Sequence, residues 1–409
     1  MEVRRVAVTG MGVVSPVGTG VDKFWTSIKA GVSGSKPIER LTGERIRFGC
    51  EADDFIATDF MPRKVAKRNG RFILFGLAAS QMALEQSGYD IKDPFRTGVY
   101  VGTNGGYDSI EKEFDAYLNR GPRGVSPFAV TNSINNMVAG NISIRWGLKG
   151  PSVAPAAACA AGLYGISDAW NAIRYGQIDA AIAGGSDSTM TGFVYSGYEN
   201  NRTLSSRHDD PEHASRPFDK NRDGFVMGEG AGILILESME SAIERGANIL
   251  AEIVACHTSS DASHITAPDQ SGDTIARTIQ DTLNIAGIAP SDVSYVSAHG
   301  TSTAINDMVE SKAIRKVFNS NGYQVPVTAL KSMIGHSLGA SGAIALVASI
   351  KSTHDNIIPP TINTTEIDEA CAPLDVVMGS AREAPVDHVL INAFGFGGHN
   401  GCVLIKKAE

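Results

Sequence analysis

Short runs of hydrophobic residues alternate along the chain with segments in which hydrophobic residues recur every three or four positions. The runs predict buried strands, and the wider spacing predicts helices with one apolar face. The strand-like runs lie at residues 3–8, 98–106, 179–183, 231–237, 251–255, 293–298, 325–330, 389–393 and 401–405. The helical patterns lie at residues 61–89, 134–144, 163–176, 274–286, 306–318 and 339–349. This alternation predicts an α/β fold in which helices cover both faces of mostly parallel sheets.

The order of strands and helices starts again after residue 250, so the chain reads as two similar halves. A chain of 409 residues is also longer than one hydrophobic core usually serves. We therefore predict two packed α/β halves, residues 1–250 and residues 251–409.

Composition and charge limit the classes of function. Apolar residues make up 43% of the chain and charged residues 20%, as in an ordinary globular protein. The net charge of −8 argues against nucleic-acid binding, and no apolar run approaches the length of a membrane span. The first strand-like run leaves no room for a signal peptide, and the five cysteines are scattered without a C-x-x-C pair. We expect a cytoplasmic protein.

Cys159 lies where the apolar run at residues 150–158 meets a helical pattern that includes Leu163, Ile166 and Trp170. Unpaired N–H groups and the positive end of the helix dipole favour the thiolate at such a junction. The position therefore predicts a nucleophilic cysteine with a lowered pKa. The alternative is a small buried apolar residue, which is the usual role of a free cysteine.

His299 and His336 each follow a strand-like run and stand beside glycine and serine or threonine. Catalytic side chains of open α/β sheets collect where the strands end. Zinc is an alternative for a Cys/His/His set, but the chain has no closely spaced ligand pair such as H-E-x-x-H. We expect no metal.

The C-terminal half also contains a pattern typical of serine hydrolases. Residues 335–339 form a complete G-x-S-x-G motif with Ser337 at its centre. The acid and base candidates that follow in triad order are Asp375 or Asp387 and then His399. A nucleophile elbow should follow its strand directly, whereas four residues intervene here. A hydrolase that uses Ser337 is therefore the second choice.

Basic residues cluster at the start of the helical pattern 61–89, and their spacing places several on one face. They are Arg63, Lys64, Lys67, Arg68 and Arg71, and a glycine-rich turn adds Arg120 and Arg123. The cluster indicates either a solvated helix face or a docking surface for a negatively charged partner.

Five motifs together resemble those of the elongating β-ketoacyl-acyl carrier protein synthases of the thiolase-like superfamily. The motifs are Ala158-Cys159-Ala160, residues 219–230 (DKNRDGFVMGEG), His299-Gly-Thr-Ser-Thr303, Lys331-Ser-Met-Ile-Gly-His336 and residues 392–400 (NAFGFGGHN). The resemblance covers essentially the whole chain. It implies a thiolase-like fold of two duplicated α/β halves packed as αβαβα layers, and it implies no cofactor.

The resemblance also implies an acyltransferase that performs a decarboxylative Claisen condensation in two stages. Cys159 takes an acyl group from acyl carrier protein, and its N–H together with that of Phe396 stabilises the oxyanion. His299 and His336 then hold the thioester oxygen of malonyl carrier protein while carbon dioxide leaves. Phe396 also acts as a gate.

The same resemblance implies roles for further residues. The substrate-binding residues are Thr301, Thr303 and, at the base of the acyl pocket, Ile110. Lys331 is the active-site lysine, and Asp307 and Glu310 orient it. The docking residues for the acidic carrier protein are Lys64, Lys67, Arg68 and Arg123.

The chain departs from the family at Ala158, where threonine is usual, and at Ala345, where glutamate is usual. Residues 323–340 are in addition similar to type II polyketide ketosynthases. We therefore expect polyketide or polyene synthesis, with housekeeping fatty-acid elongation as the alternative. The partner is a second copy or an inactive chain-length-factor paralogue. The retained cysteine and histidines indicate the active subunit and not a non-catalytic chain-length-factor-like one.

Overall fold

The computed structural model describes residues 3–41, 43–319 and 324–408. Tyr323, the first residue of the polyketide-like run, lies outside these ranges. The helices are α1 Val21–Lys29, α2 Arg63–Arg68, α3 Arg71–Ser87, α4 Tyr107–Arg120, α5 Met137–Trp146, α6 Ala161–Arg174, α7 Gly192–Asn200, α8 Met239–Glu244, α9 Asp273–Ala286, α10 Ala304–Phe318, α11 Lys331–Ile334 and α12 Ser341–Asp355. The strands are β1 Val6–Ser15, β2 Gly18–Thr19, β3 Lys36–Pro37, β4 Phe48–Gly49, β5 Thr97–Gly102, β6 Ser152–Val153, β7 Ala180–Asp187, β8 Gly230–Ser238, β9 Ala251–Ser260, β10 Tyr295–Ser297, β11 Pro326–Thr328, β12 Ile357–Ile358, β13 Asp375–Val376, β14 Arg382–Glu383, β15 His388–Gly395 and β16 His399–Lys407.

The pairing pattern of the main sheet repeats on its two sides. On one side β1 is antiparallel to β8 and β8 to β7, and β7, β5 and β6 are then parallel. On the other side β9 is antiparallel to β16 and β16 to β15, and β15, β10 and β11 are then parallel. The two sides join where β1 pairs with β9, from Val6↔Ile253 to Val8↔Ala251. This repetition supports a division at residue 250, which stays a prediction.

Helices lie outside and between the two halves of the sheet. α3 packs on β1 and β8, and α9 packs on β9 and β16 with α10 behind it. Between the halves, α6 packs against β5 and β7, and α12 packs against β8, β15 and α6. The α/β fold with alternating helix and sheet layers is confirmed. The expectation of mostly parallel sheets is wrong, because each half combines antiparallel and parallel pairs.

The first strand continues through Ser15, beyond the run that ended at residue 8 in the sequence pattern. Gly10 and Gly12 lie directly under α3, so that a Cβ atom at these positions would be 2.1 Å from the Ala83 oxygen and 2.0 Å from the Ala79 oxygen. The two glycines therefore allow close packing of helix on strand.

The helical pattern at residues 61–89 forms two helices, α2 and α3, instead of one. Asn69 and Gly70 between them have ψ angles of 149° and 154°, which are extended and interrupt the helical hydrogen bonds. No helix in the described part of the chain has the length and hydrophobicity that crossing a bilayer requires.

Candidate active site

Six residues that the sequence singled out line one cavity of about 330 Å³: Cys159, His299, Thr301, Thr303, His336 and Phe396. They come from four separate segments, which are the turn before α6, the loop after β10, the residues after α11 and the β15–β16 turn. The cavity wall also includes the aromatic side chains of Tyr198, Phe225 and Phe394. The fold therefore brings the distant motifs together.

Cys159 lies in a short 3₁₀ turn, Ala158–Ala160, immediately before α6. Ala158 has a φ of 47°, in the left-handed region that non-glycine residues seldom adopt. The strand that leads into this turn is only the two-residue edge strand β6, whose side chains are exposed. A sharp turn at the start of a helix, and not the end of a buried strand, thus presents the thiol.

Two backbone amides converge on the thiol. The N–H groups of Phe396 and of Cys159 itself lie near the Cys159 sulfur and favour its thiolate form. Gly395 permits this approach, because a Cβ atom there would be 2.6 Å from the Ala157 oxygen and 3.1 Å from the Cys159 nitrogen. Paired donors beside a nucleophile are the arrangement that stabilises a tetrahedral oxyanion.

The expected lowering of the thiol pKa is wrong. Burial raises the pKa of Cys159 to about 12, and the charge of Lys331 and the two amides reverse this only in part. The buried thiolate loses more hydration energy than these groups return. Cys159 is therefore a neutral thiol at neutral pH.

The two histidine rings lie side by side, with centroids 5.3 Å apart and planes at 82°. Burial lowers the pKa of each well below its usual value, and the positive charge of Lys331 lowers both further. Nδ1 of His336 lies 3.0 Å from Ser341 Oγ, and Nδ1 of His299 lies 3.4 Å from Lys331 Nζ. Lys331 can only donate, so its contact assigns the proton of the neutral His299 ring to Nε2, whereas the Ser341 hydroxyl can donate to or accept from Nδ1 of His336.

Lys331 is the first residue of α11 and is buried behind His299. Its Nζ donates to the His299 carbonyl oxygen at 2.5 Å. Burial lowers the pKa of Lys331, and the negative charge of Glu310 opposes that effect. Glu310 itself accepts the N–H groups of His299 and Gly300, each at 2.8 Å. Glu310 thus fixes the backbone at His299 and Gly300 by hydrogen bonds, and its charge raises the pKa of Lys331.

Asp307 acts on the next part of the same loop. It accepts the N–H of Thr301 at 3.0 Å and the N–H of Phe218 at 2.9 Å. Thr301 Oγ1 lies 2.9 Å from Thr303 Oγ1, so the two hydroxyls line the cavity as a pair.

Ala345, where the family usually has glutamate, lies on α12 in the apolar core.

Ile110, expected at the base of an acyl pocket, does not line this cavity. It lies on α4 with 45% of its surface exposed.

The groups of the alternative hydrolase site have other partners. Ser337 is fully buried and its hydroxyl donates to the Glu229 carbonyl oxygen at 3.3 Å. Asp375 forms an ion pair with Arg382 at 2.6 Å. The ring of His399 packs edge-on against the ring of Tyr164. These contacts do not form a catalytic triad.

The basic cluster separates into an exposed part and a buried part. The exposed members are Arg63, Lys64, Lys67, Arg68, Arg120 and Arg123, and within the described ranges none of the six forms an ion pair. The Arg68 guanidinium lies 5.3 Å from the centroid of the Phe128 ring, which connects α2 to the loop that carries Arg123. Arg71 instead turns inward and pairs with the buried Glu229 at 2.7 Å.

Comparison with known proteins identifies the family of the chain. The family model described as "Beta-ketoacyl synthase, N-terminal domain" matches residues 3–242, and "Beta-ketoacyl synthase, C-terminal domain" matches residues 250–365. The chain belongs to the β-ketoacyl synthase family. It is 44% identical over 414 residues to the 3-oxoacyl-[acyl-carrier-protein] synthase 2 of Synechocystis sp., a match that covers 100% of this chain and 99% of that protein. The corresponding protein of Coxiella burnetii is 42% identical over 412 residues with the same coverage.

Solved structures of β-ketoacyl synthases share the fold. The ishigamide ketosynthase/chain length factor superposes with a TM-score of 0.92 at 35% identity and full coverage of both chains. A type II polyketide ketosynthase in complex with its acyl-carrier protein, bound to a hexaketide, superposes with a TM-score of 0.91 at 32% identity and the same coverage.

Three residues of this β-ketoacyl synthase site were not found from the sequence. Ser341 contacts His336 from the first turn of α12, and Asn392 donates to Glu310 Oε1 at 3.2 Å. Tyr198 lies on α7, outside every motif, and reaches the cavity wall. Asn392 opens the motif at residues 392–400, and Ser341 follows His336 by five residues in an apolar run, so the sequence carried a signal for these two residues but none for Tyr198.

Proposed function

We propose that this chain catalyses the decarboxylative Claisen condensation of malonyl-acyl carrier protein with an acyl group held on Cys159. The observation that carries the proposal is the convergence of one thiol, two backbone N–H groups and two neutral imidazoles on a single cavity. The thiol and the N–H groups serve the acyl transfer, and the imidazoles serve the condensation.

The first stage is transfer of the acyl group to the enzyme. The Cys159 sulfur attacks the carbonyl carbon of the acyl-carrier thioester, and the N–H groups of Cys159 and Phe396 bind the developing oxyanion. A bond from carbon to the Cys159 sulfur forms as the bond to the pantetheine sulfur breaks. The thiol proton of Cys159 goes to the departing sulfur, so charge balances.

The second stage forms the new carbon–carbon bond. The malonyl thioester loses carbon dioxide, and the electron pair remains as an enolate whose oxygen accepts the Nε2–H groups of His299 and His336. The enolate carbon attacks the acyl thioester, the bond to the Cys159 sulfur breaks, and one proton from solvent restores the thiol. Lys331 holds His299 in place through its carbonyl oxygen.

The proposed partner is acyl carrier protein in its acyl- and malonyl-loaded forms. The exposed and unpaired charges of Lys64, Lys67, Arg68 and Arg123 support a negatively charged partner, although the net charge of the chain is −8. We also propose that Ile110 borders the acyl chain in the assembled enzyme.

For the pathway we propose polyketide or polyene synthesis. The ishigamide ketosynthase/chain length factor and a type II polyketide ketosynthase, with TM-scores of 0.92 and 0.91, support this assignment, as do Ala158 and Ala345. The general elongating synthase is the second candidate, because the chain is 42–44% identical to 3-oxoacyl-[acyl-carrier-protein] synthases over its full length.

We further propose that a second subunit covers the face around α4. Large apolar side chains are exposed there, among them Phe114 at 60%, Leu118 at 65% and Val130 at 70%. The edge strand β6 also has exposed side chains. Apolar surface of this kind is typical of a subunit interface. Native mass spectrometry after co-expression with a chain-length-factor paralogue distinguishes a homodimer from a heterodimer.

The five cysteines are all free thiols. Because thiols stay reduced in a reducing compartment, we propose that the protein is located in the cytoplasm.

Intact mass spectrometry after incubation with acyl-loaded carrier protein tests the reaction. We expect an acyl adduct on the wild type, no adduct on Cys159→Ala, and a retained adduct on Ser337→Ala. The His299→Ala variant should keep the adduct and lose condensation with malonyl carrier protein. An adduct that depends on Ser337 would favour the hydrolase, and the absence of an adduct with every acyl chain would favour a non-catalytic subunit.

A further inference from the structure

Tyr198 lines the catalytic cavity, and its hydroxyl group has no hydrogen-bond partner in the described part of the chain. Tyr198 lies on α7, lines the cavity with Cys159, and packs its ring 5.3 Å from Phe225 and 6.2 Å from Phe396, measured between centroids. Its neighbour Tyr195 enters the same apolar cluster, but the Tyr195 hydroxyl donates to the Phe48 carbonyl oxygen at 3.0 Å. The two tyrosines therefore differ in one respect: the Tyr198 hydroxyl is left for something that enters the cavity.

Tyr198 packs against the apolar cluster that contains Cys159. Burial raises the pKa of Tyr198, and the groups whose charges raise it further are Cys159, Asp187 and Tyr107. Asp187 ends β7 and Tyr107 begins α4, whereas the histidines that serve the malonyl group come from the C-terminal half. The charges that act on this hydroxyl thus come from the N-terminal half, as Cys159 does.

The side chain of Tyr198 lies among apolar side chains. Tyr107 and Tyr198 pack against a cluster that includes Cys159, Met190 and Leu338. A saturated chain in this space would remove water from the hydroxyl without replacing its hydrogen bond, which is unfavourable. A chain that carries an oxygen atom would replace it.

We infer that Tyr198 hydrogen-bonds an oxygen atom of the acyl chain on Cys159, so that the enzyme selects chains that retain keto or hydroxyl oxygen over saturated chains of equal length. The inference rests on the proposed function, since it concerns the acyl group that Cys159 accepts. It makes Tyr198 a specificity-determining residue. A site that hydrogen-bonds a substrate oxygen rejects analogues without that oxygen.

The test measures acylation of the full chain by N-acetylcysteamine thioesters of octanoate, 3-oxooctanoate and 5-oxooctanoate, with intact mass spectrometry as the readout. We expect Tyr198→Phe to lower the ratio of oxo-chain to octanoyl acylation rates about tenfold for at least one oxo chain. The thioesters differ in intrinsic reactivity, but this difference cancels when the rate ratio of the variant is compared with the rate ratio of the wild type. Tyr175→Phe, at an exposed position after α6, is the matched control and should leave every ratio unchanged.

A ratio that Tyr198→Phe does not change for either oxo chain would overturn the inference. Wild-type protein gives a second measurement that needs no variant. The keto group of 5-oxooctanoate is too far from the thioester to activate it, so wild-type preference for this chain over octanoate would support the inference. Equal wild-type rates for 5-oxooctanoate and octanoate, together with an unchanged 3-oxo ratio, would overturn it. An octanoyl adduct on Cys159 in either case shows that the first stage of the proposed function stands, and no adduct with any thioester would overturn both.

Discussion

The reactivity of Cys159 depends on a balance between burial and nearby positive charge. The helix start and the two backbone amides favour a thiolate, and so does Lys331, but the cavity removes the thiol from water. Loss of hydration dominates, and the pKa rises. The sequence could predict the position of the nucleophile because the turn and the helix are local features. It could not predict the pKa, because the depth of burial depends on segments far apart in the chain.

Alkylation of Cys159 by iodoacetamide should therefore show the raised pKa. A raised thiol pKa means that the neutral form predominates at neutral pH. The rate should rise about tenfold per pH unit from about pH 6 to about pH 9 without a plateau. Intact mass spectrometry follows the adduct, and Cys159→Ala assigns it. Lys331→Met should slow the reaction further, because it removes the positive charge that favours the thiolate. A plateau at or below pH 8 would contradict the raised pKa.

At the scale of elements, most strands and helices could be predicted from periodicity, and the exceptions have physical reasons. β1 is longer than its apolar run because Gly10 and Gly12 pack under α3, which no local pattern shows. The break between α2 and α3 escaped prediction because the apolar spacing continues through Asn69 and Gly70. That break separates Arg71 from the exposed basic residues.

The ion pair between Arg71 and Glu229 should be needed for stability. Glu229 is fully buried, and Arg71 holds it through Nε and Nη2 at 3.0 and 2.7 Å. Arg71→Met leaves a buried carboxylate, whose remaining donors are the Ala52 N–H and the Ser188 hydroxyl. We expect a loss of about 3 kcal/mol in the free energy of unfolding, at the low end for a broken buried pair because Arg71 keeps part of its surface exposed.

Urea unfolding measures this loss, and two further variants control it. Glu229→Gln in the Arg71→Met background should recover part of the stability, because an amide is less costly to bury than a charge. Lys64→Ala, at an exposed position of α2, should change the free energy of unfolding by less than about 0.5 kcal/mol. Equal stabilities of Arg71→Met and the wild type would show that Glu229 does not depend on the ion pair.

At the scale of the whole molecule, the duplication could be inferred from element order, but the sheet pattern could not. Nothing in the apolar run at residues 401–405 distinguishes an antiparallel neighbour from a parallel one, so β16 was not expected to pair antiparallel on both edges. The cavity arises where the two halves meet, because Cys159 comes from one half and His299 and His336 come from the other. The motifs indicated which residues act, whereas tertiary contacts supply Tyr198 and Ser341.

The exposed basic surface should govern the use of carrier protein in a salt-dependent way. Lys64→Glu with Arg68→Glu reverses two unpaired charges, so the KM for acyl carrier protein should rise about tenfold at about 20 mM salt and much less at about 500 mM. Acylation by an N-acetylcysteamine thioester should not change, since that substrate needs no docking. Lys92→Glu, an exposed charge reversal beyond the opposite end of α3, is the matched control and should leave KM unchanged. If the double variant has the wild-type KM at both salt concentrations, carrier protein docks elsewhere. An equal rise in KM at both salt concentrations would show that the two charges do not act by long-range attraction.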